Sequence, residues 1–126
     1  MSKPKPLVLI VEDDISSQQY YEVIFKDEYE IHLASTVAEA KQALKEILFE
    51  VAIVDISLPG GESGIDFIKY LGSNYPQKPV AIAVTAHAFP KNRNDVLEAG
   101  AVEFFAKPVL SGKLLAAVRK YCVLPN

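Results

Sequence analysis

Residues 51–61 read VAIVDISLPGG: four apolar residues run straight into Asp55, and the stretch then breaks at Pro59, Gly60 and Gly61. An unbroken apolar run of this length, closed by turn residues, has the pattern of a strand covered on both faces, as in a parallel sheet. A charge at the end of such a strand is costly unless it is paired. The rest of the chain must therefore supply a partner for Asp55.

Two other runs share the pattern, LVLIV (7–11) and VAIAV (80–84), and these three are expected to be central strands. YEIHLA (29–34) sets Tyr29, Ile31 and Leu33 opposite Glu30 and His32, and VEFFA (102–106) is short and mixed, so both are expected at the edges. Helical patterns separate the strands. In STVAEAKQALKEIL (35–48), Val37, Ala40, Leu44, Ile47 and Leu48 form one stripe, and Thr36 with Glu39 has the spacing of a capping box. Tyr21, Ile24 and Phe25 mark a first helix, and Ile65, Ile68 and Leu71 a third that ends near Gly72. Val96 and Leu97 mark a short fourth closed by Gly100, and Leu115, Val118 and Cys122 a fifth capped by Ser111. The order is (βα)5. Strict alternation with right-handed crossovers gives a doubly wound α/β fold, flavodoxin-like, with a parallel five-stranded sheet in strand order 2-1-3-4-5. In that layout ligands bind at the carboxyl ends of the strands, at the switch point between the first and third.

Composition narrows the class. At 126 residues, 50% hydrophobic and 23% charged, the chain suits a globular core, and the expectation is a single domain over 1–126 with residues 1–6 as a short N-terminal tail. The net charge of -3 argues against a nucleic-acid or anionic-membrane surface. Cys122 is the one cysteine, which excludes an internal disulfide and a cysteine-based zinc site and suits a reducing compartment. Its place on an apolar helix face points to packing rather than reactivity. The apolar run near the N-terminus is too short for a signal segment, and no stretch is long enough to span a bilayer. The expected location is the cytoplasm.

The strand ends carry the chemistry. The first ends at Glu12, Asp13 and Asp14, the third at Asp55, the fourth at Thr85 and the fifth at Lys107 and Pro108. Carboxylates about 4 to 5 Å apart repel by roughly 3 to 4 kcal/mol per pair at an effective dielectric near 20, so they need a cation or must take up protons. Magnesium suits the cluster better than zinc, because the donors are oxygens and neither His32 nor His87 has a histidine or cysteine partner in sequence. A carboxylate beside the metal can attack phosphorus to give an acyl phosphate. Lys107 can balance the incoming charge, and the Thr85 hydroxyl can hydrogen-bond a phosphoryl oxygen.

Taken in order, VLIVEDD (8–14), VDISLPGG (54–61), VTAHAF (84–89) and EAGAVEFFAKP (98–108) resemble the motifs of response-regulator receiver domains of two-component phosphorelays. The resemblance covers nearly the whole chain and is closest to single-domain, chemotaxis-regulator-like members. It implies that Asp55 is the phosphoacceptor, and that Glu12, Asp13, Asp55 and the backbone carbonyl of Ser57 hold Mg2+, with Asp14 outside the acidic pair. It makes Thr85 the switch hydroxyl, Lys107 the phosphate-binding lysine, Phe104 the switch aromatic and Pro108 the proline that follows a cis peptide bond. Ser57 and His87 match positions that modulate dephosphorylation.

Three features depart from the family pattern. PGGESG puts four residues between Pro59 and Gly64 where three are usual, Phe104 stands where tyrosine is common, and Glu12 stands where many members have aspartate. The implied function is a phosphorylation-driven switch or relay, fed by a sensor histidine kinase or histidine phosphotransfer protein and read by a downstream effector protein. A phosphatase of the haloacid-dehalogenase type is the enzymatic alternative, but it looks for a second aspartate where Ser57 stands. An interaction module that works without phosphate is the third.

Overall fold

The computed structural model describes residues 5–57, 63–86 and 90–122. Its element order is β1 (Leu7–Val11), α1 (Ile15–Phe25), β2 (Glu30–Ala34), α2 (Val37–Glu46), β3 (Val51–Asp55), α3 (Gly64–Asn74), β4 (Val80–Thr85), α4 (Pro90–Ala99), β5 (Glu103–Ala106) and α5 (Ser111–Tyr121). The strands form one sheet in the order β2-β1-β3-β4-β5, and every pairing is parallel. The three continuously apolar strands are central and the two mixed ones lie at the edges, because only a strand with helices on both faces can be apolar at every position.

Alternation along the strands divides the core in two. Leu9, Val11, Ala52, Val54, Ala81 and Ala83 face the side covered by α2, α3 and α4. Val8, Ile10, Val51, Ile53, Ile82 and Val84 face the side covered by α1 and α5, where Tyr21, Phe25, Leu114 and Val118 meet them. The Thr36–Glu39 capping box is present, and a second joins Ser63 to Asp66 at the start of α3.

Two local expectations, at the end of α2 and the start of α5, need correction. The helix α2 stops at Glu46, Ile47 is already extended, and Leu48 is 90% exposed, while Ala43 fills the stripe instead. Ser111 does not cap α5: Leu110 occupies the N-cap with no side-chain bond, and Ser111 is the first helical residue. The third helix runs two residues past Gly72, to Asn74, and buries Phe67. Leu97 on α4 remains 37% exposed, whereas Val96 is fully buried. Gly100 does close α4, and its φ of 124° is one that a residue with a side chain rarely adopts. Cys122 packs against the α1/α5 cluster, and burial pushes its thiol up to about 11, as suits a packing role.

Candidate functional site

Strand register brings the polar ends together. Val11 pairs with Val54, so the next residues on these strands, Glu12 and Asp55, lie side by side. Their place in the alternation points both toward the α1/α5 face, as it does for Lys107, two residues after Phe105. Glu12 is 1% exposed, Asp55 7% and Thr85 0%, the buried polar or charged residues, tyrosines apart, among the described ones. Carboxylate oxygens of Glu12, Asp13 and Asp55 all fall within 4.8 Å of one another, with Asp13 exposed at the mouth.

Lys107 is the cation facing this cluster. Its Nζ donates to Asp55 Oδ2 at 3.2 Å, to Glu12 Oε1 and to Ser17 Oγ at 3.4 Å. Burial first, then its contact with Asp55, push the Glu12 carboxyl up to about 7 against the pull of Lys107. Burial opposes the charge on Lys107, yet the hydrogen bond to Glu12 and the charges of Asp55 and Glu12 outweigh it and hold the ammonium above its ordinary range. Among the described residues Lys107 thus meets Glu12 and Asp55, while the Asp13 carboxylate stands beside them with no cation in contact. An all-oxygen cluster with this deficit of positive charge fits a hard divalent cation. Asp55 Oδ1 also accepts from the Ser57 N–H at 2.9 Å.

The start of α1 frames the cluster. Asp14 caps the helix by accepting from the Ser17 N–H at 2.9 Å, which explains why the third acid stands apart from the other two. That bond also holds its carboxyl below the usual range. Gln18 donates from Nε2 to the Glu12 carbonyl at 2.6 Å and to Ser35 Oγ at 3.3 Å. The Tyr20 hydroxyl donates to the Val109 carbonyl at 2.6 Å, tying α1 to the segment that follows Lys107. Aspartate is a favoured N-cap residue type, but nothing in the sequence announces the contacts of Ser17, Gln18 or Tyr20 with distant segments.

Thr85 pairs with Ala106 at the end of β4, and the Lys107 N–H donates to the Thr85 carbonyl at 2.8 Å. By alternation Thr85 faces the α4 side, opposite to Asp55, and Phe104 packs into the cluster on that same side. The Lys107–Pro108 peptide is cis, as is Lys78–Pro79. At Gly64 a Cβ would fall 2.4 Å from the Asp55 carbonyl oxygen and 2.5 Å from Ile56 Cα. Only glycine lets α3 begin this close behind Asp55. His87 and residues 58–62, which include three of the four residues between Pro59 and Gly64, lie outside the described residues.

Comparison with known proteins agrees with this fold. The pattern of the family described as "Response regulator receiver domain" matches residues 8–119. The response regulator protein PilR of Pseudomonas aeruginosa is 34% identical over 127 residues, covering 100% of this chain and 28% of that protein. The transcriptional regulatory protein PhoP of Escherichia coli strain K12 is 30% identical over 113 residues, or 89% of this chain and 50% of that one. The chain therefore spans half or less of the length of these relatives. Among solved structures, a CheY-like response regulator receiver domain protein from Methanospirillum hungatei superposes with a TM-score of 0.85 at 28% identity, covering 92% of each chain.

Proposed function

Because the chain belongs to the response-regulator receiver family, the phosphorylation-activated switches of two-component signalling, we propose that Asp55 is the acceptor of the phosphoryl group. The observation that carries this reading is Lys107 bridging Glu12 and Asp55 at the end of a buried strand. A carboxylate that is 7% exposed, with a cation already in contact, is oriented for reaction and shielded from bulk water.

The donor is a phosphohistidine on a sensor histidine kinase or a histidine phosphotransfer protein. An oxygen of Asp55 attacks phosphorus, a P–O bond forms as the P–N bond breaks, and the leaving imidazole keeps the electron pair and takes up a proton. Lys107 holds the phosphoryl oxygens, and the Thr85 hydroxyl, at the end of the neighbouring strand, turns over the rim from the α4 side to donate a further hydrogen bond. Glu12, Asp13, Asp55 and the Ser57 backbone carbonyl hold Mg2+, which when bound offsets the negative charge of the transferring group. Ile15, Tyr20 and Leu110, 68%, 39% and 66% exposed, flank this rim and suit a protein donor.

The response passes from Thr85 to Phe104, which share the α4 face of the sheet, and alters the surface read by an effector protein. On this reading residues 1–126 form one receiver domain that promotes only its own phosphorylation and dephosphorylation. Its proposed setting is the cytoplasm. No helix among the described residues is long and apolar enough to cross a bilayer.

Incubation with acetyl phosphate and Mg2+ tests the acceptor. Intact mass should rise by one phosphoryl group, hydroxylamine should remove it, and Asp55→Asn should show no adduct. Labelling of Asp55→Asn to the wild-type extent would overturn the assignment.

A further inference from the structure

We propose that Gln18 is a positioning residue for the acidic cluster, its side-chain amide fixing the peptide between Glu12 and Asp13 so that both carboxylates can meet one cation. The inference rests on the magnesium site proposed above. Gln18 Nε2 lies 2.6 Å from the Glu12 carbonyl oxygen and 3.3 Å from Ser35 Oγ. A carbonyl can only accept, so the amide nitrogen, not its oxygen, must face it. On the other side of the same residue the Glu12 N–H donates to the Ala34 carbonyl at 2.9 Å. The junction of β1 and α1 is thus held from both flanks, by the end of β2 through the backbone and by α1 through Gln18.

The two acids need this support for different reasons. Glu12 is 1% exposed and its side chain already meets Lys107. Asp13 is exposed, so its carboxylate is directed chiefly by the backbone that carries it. A cation bound by a loosely held Asp13 must order that backbone as it binds, and the entropy cost appears as lost affinity. Partners that orient metal ligands typically change metal affinity by about 10- to 100-fold when removed. Gln18 acts on the peptide, one step behind the carboxylates, which places its effect at the lower end of that range.

Calorimetric titration of Mg2+ into the whole chain tests this. Gln18→Met, of similar volume but without the donor, should bind Mg2+ about tenfold more weakly. Ser35→Ala, which leaves the bond to Glu12 intact, should stay within about twofold. Labelling by acetyl phosphate should slow in Gln18→Met at low Mg2+ and recover at saturating Mg2+, a split that general loosening of the fold does not produce. Wild-type affinity in a folded Gln18→Met, or slow labelling that saturating Mg2+ leaves uncorrected, overturns the inference and leaves the site reading intact. A wild-type chain that binds no Mg2+ overturns both. Should Gln18→Met not fold, the wild-type side-chain amide signals of Gln18 decide: they shift with Mg2+ at the same midpoint as Asp13, or they stay in place and the inference is wrong.

Discussion

At the carboxyl-terminal rim of the sheet Lys107 bridges Glu12 and Asp55, and at the opposite rim Lys78 pairs with Glu50. The groups are the same and the surroundings are not. Lys78 and Glu50 side chains are 51% and 23% exposed, whereas Lys107, Glu12 and Asp55 are 21%, 1% and 8% exposed. A solvated one-to-one pair is screened and contributes little. Two buried carboxylates sharing one lysine, with the exposed Asp13 beside them, are a poor way to stabilise a fold. The cluster's excess of negative charge suits a further cation.

The largest expected effect separates the rims by stability. Lys107→Ala removes the cation facing two buried carboxylates and should cost about 3 kcal/mol in denaturant unfolding, short of the upper range for a broken buried pair because Glu12 can take up a proton. Lys78→Ala should cost less than about 1 kcal/mol. Equal losses would erase the distinction.

The second effect is on pH. With its carboxyl raised from 4.5 to about 7, Glu12 binds a proton more tightly in the folded chain than in the unfolded one. Its contribution to stability is therefore fully present below 4.5 and lost as pH rises through about 7. Without divalent metal this amounts to at most about 3 kcal/mol, readable as a falling unfolding midpoint in chelator. Because metal binding needs the carboxylate, Mg2+ should bind about tenfold more weakly at pH 6 than at pH 8. A pH-independent affinity over that range would mean that Glu12 does not take part.

The smallest effect concerns the switch. Phe104→Tyr should change stability by less than about 1 kcal/mol and keep the response, since the Phe104 ring acts by packing within the α4-side cluster. Thr85→Ala should still be labelled on Asp55 by acetyl phosphate but should fail to carry the change to α4, which amide spectra would detect.

Much of this is legible in the sequence because a charge at the end of an apolar run is physically anomalous. Asp55, Glu12 and Lys107 each end or follow a strand, and once the strand order is known, register brings them together. Leu48 misled because its spacing fits the apolar stripe of α2, but the helix ends at Glu46 before that spacing applies. Ser111 misled because a cap is recognised by residue type, and here the chain leaves the cap to Leu110. Gln18 and Tyr20 were illegible for another reason: in the run ISSQQYYEVIF nothing distinguishes a polar side chain turned to solvent from one donating to a segment 89 residues away, as Tyr20 does.

On the proposed function the buried rim receives a phosphoryl group at Asp55 and passes the change through the sheet to the α4 face. Amide NMR spectra of the wild-type chain with Mg2+, recorded with and without beryllofluoride as a stable mimic of the acyl phosphate, test it most directly. Shifts are expected at residues 12–13, 55–57 and 107, extending through Thr85 and Phe104 into α4, all absent in Asp55→Asn. Shifts of equal size in Asp55→Asn, or wild-type shifts that never reach Phe104 and α4, would contradict it.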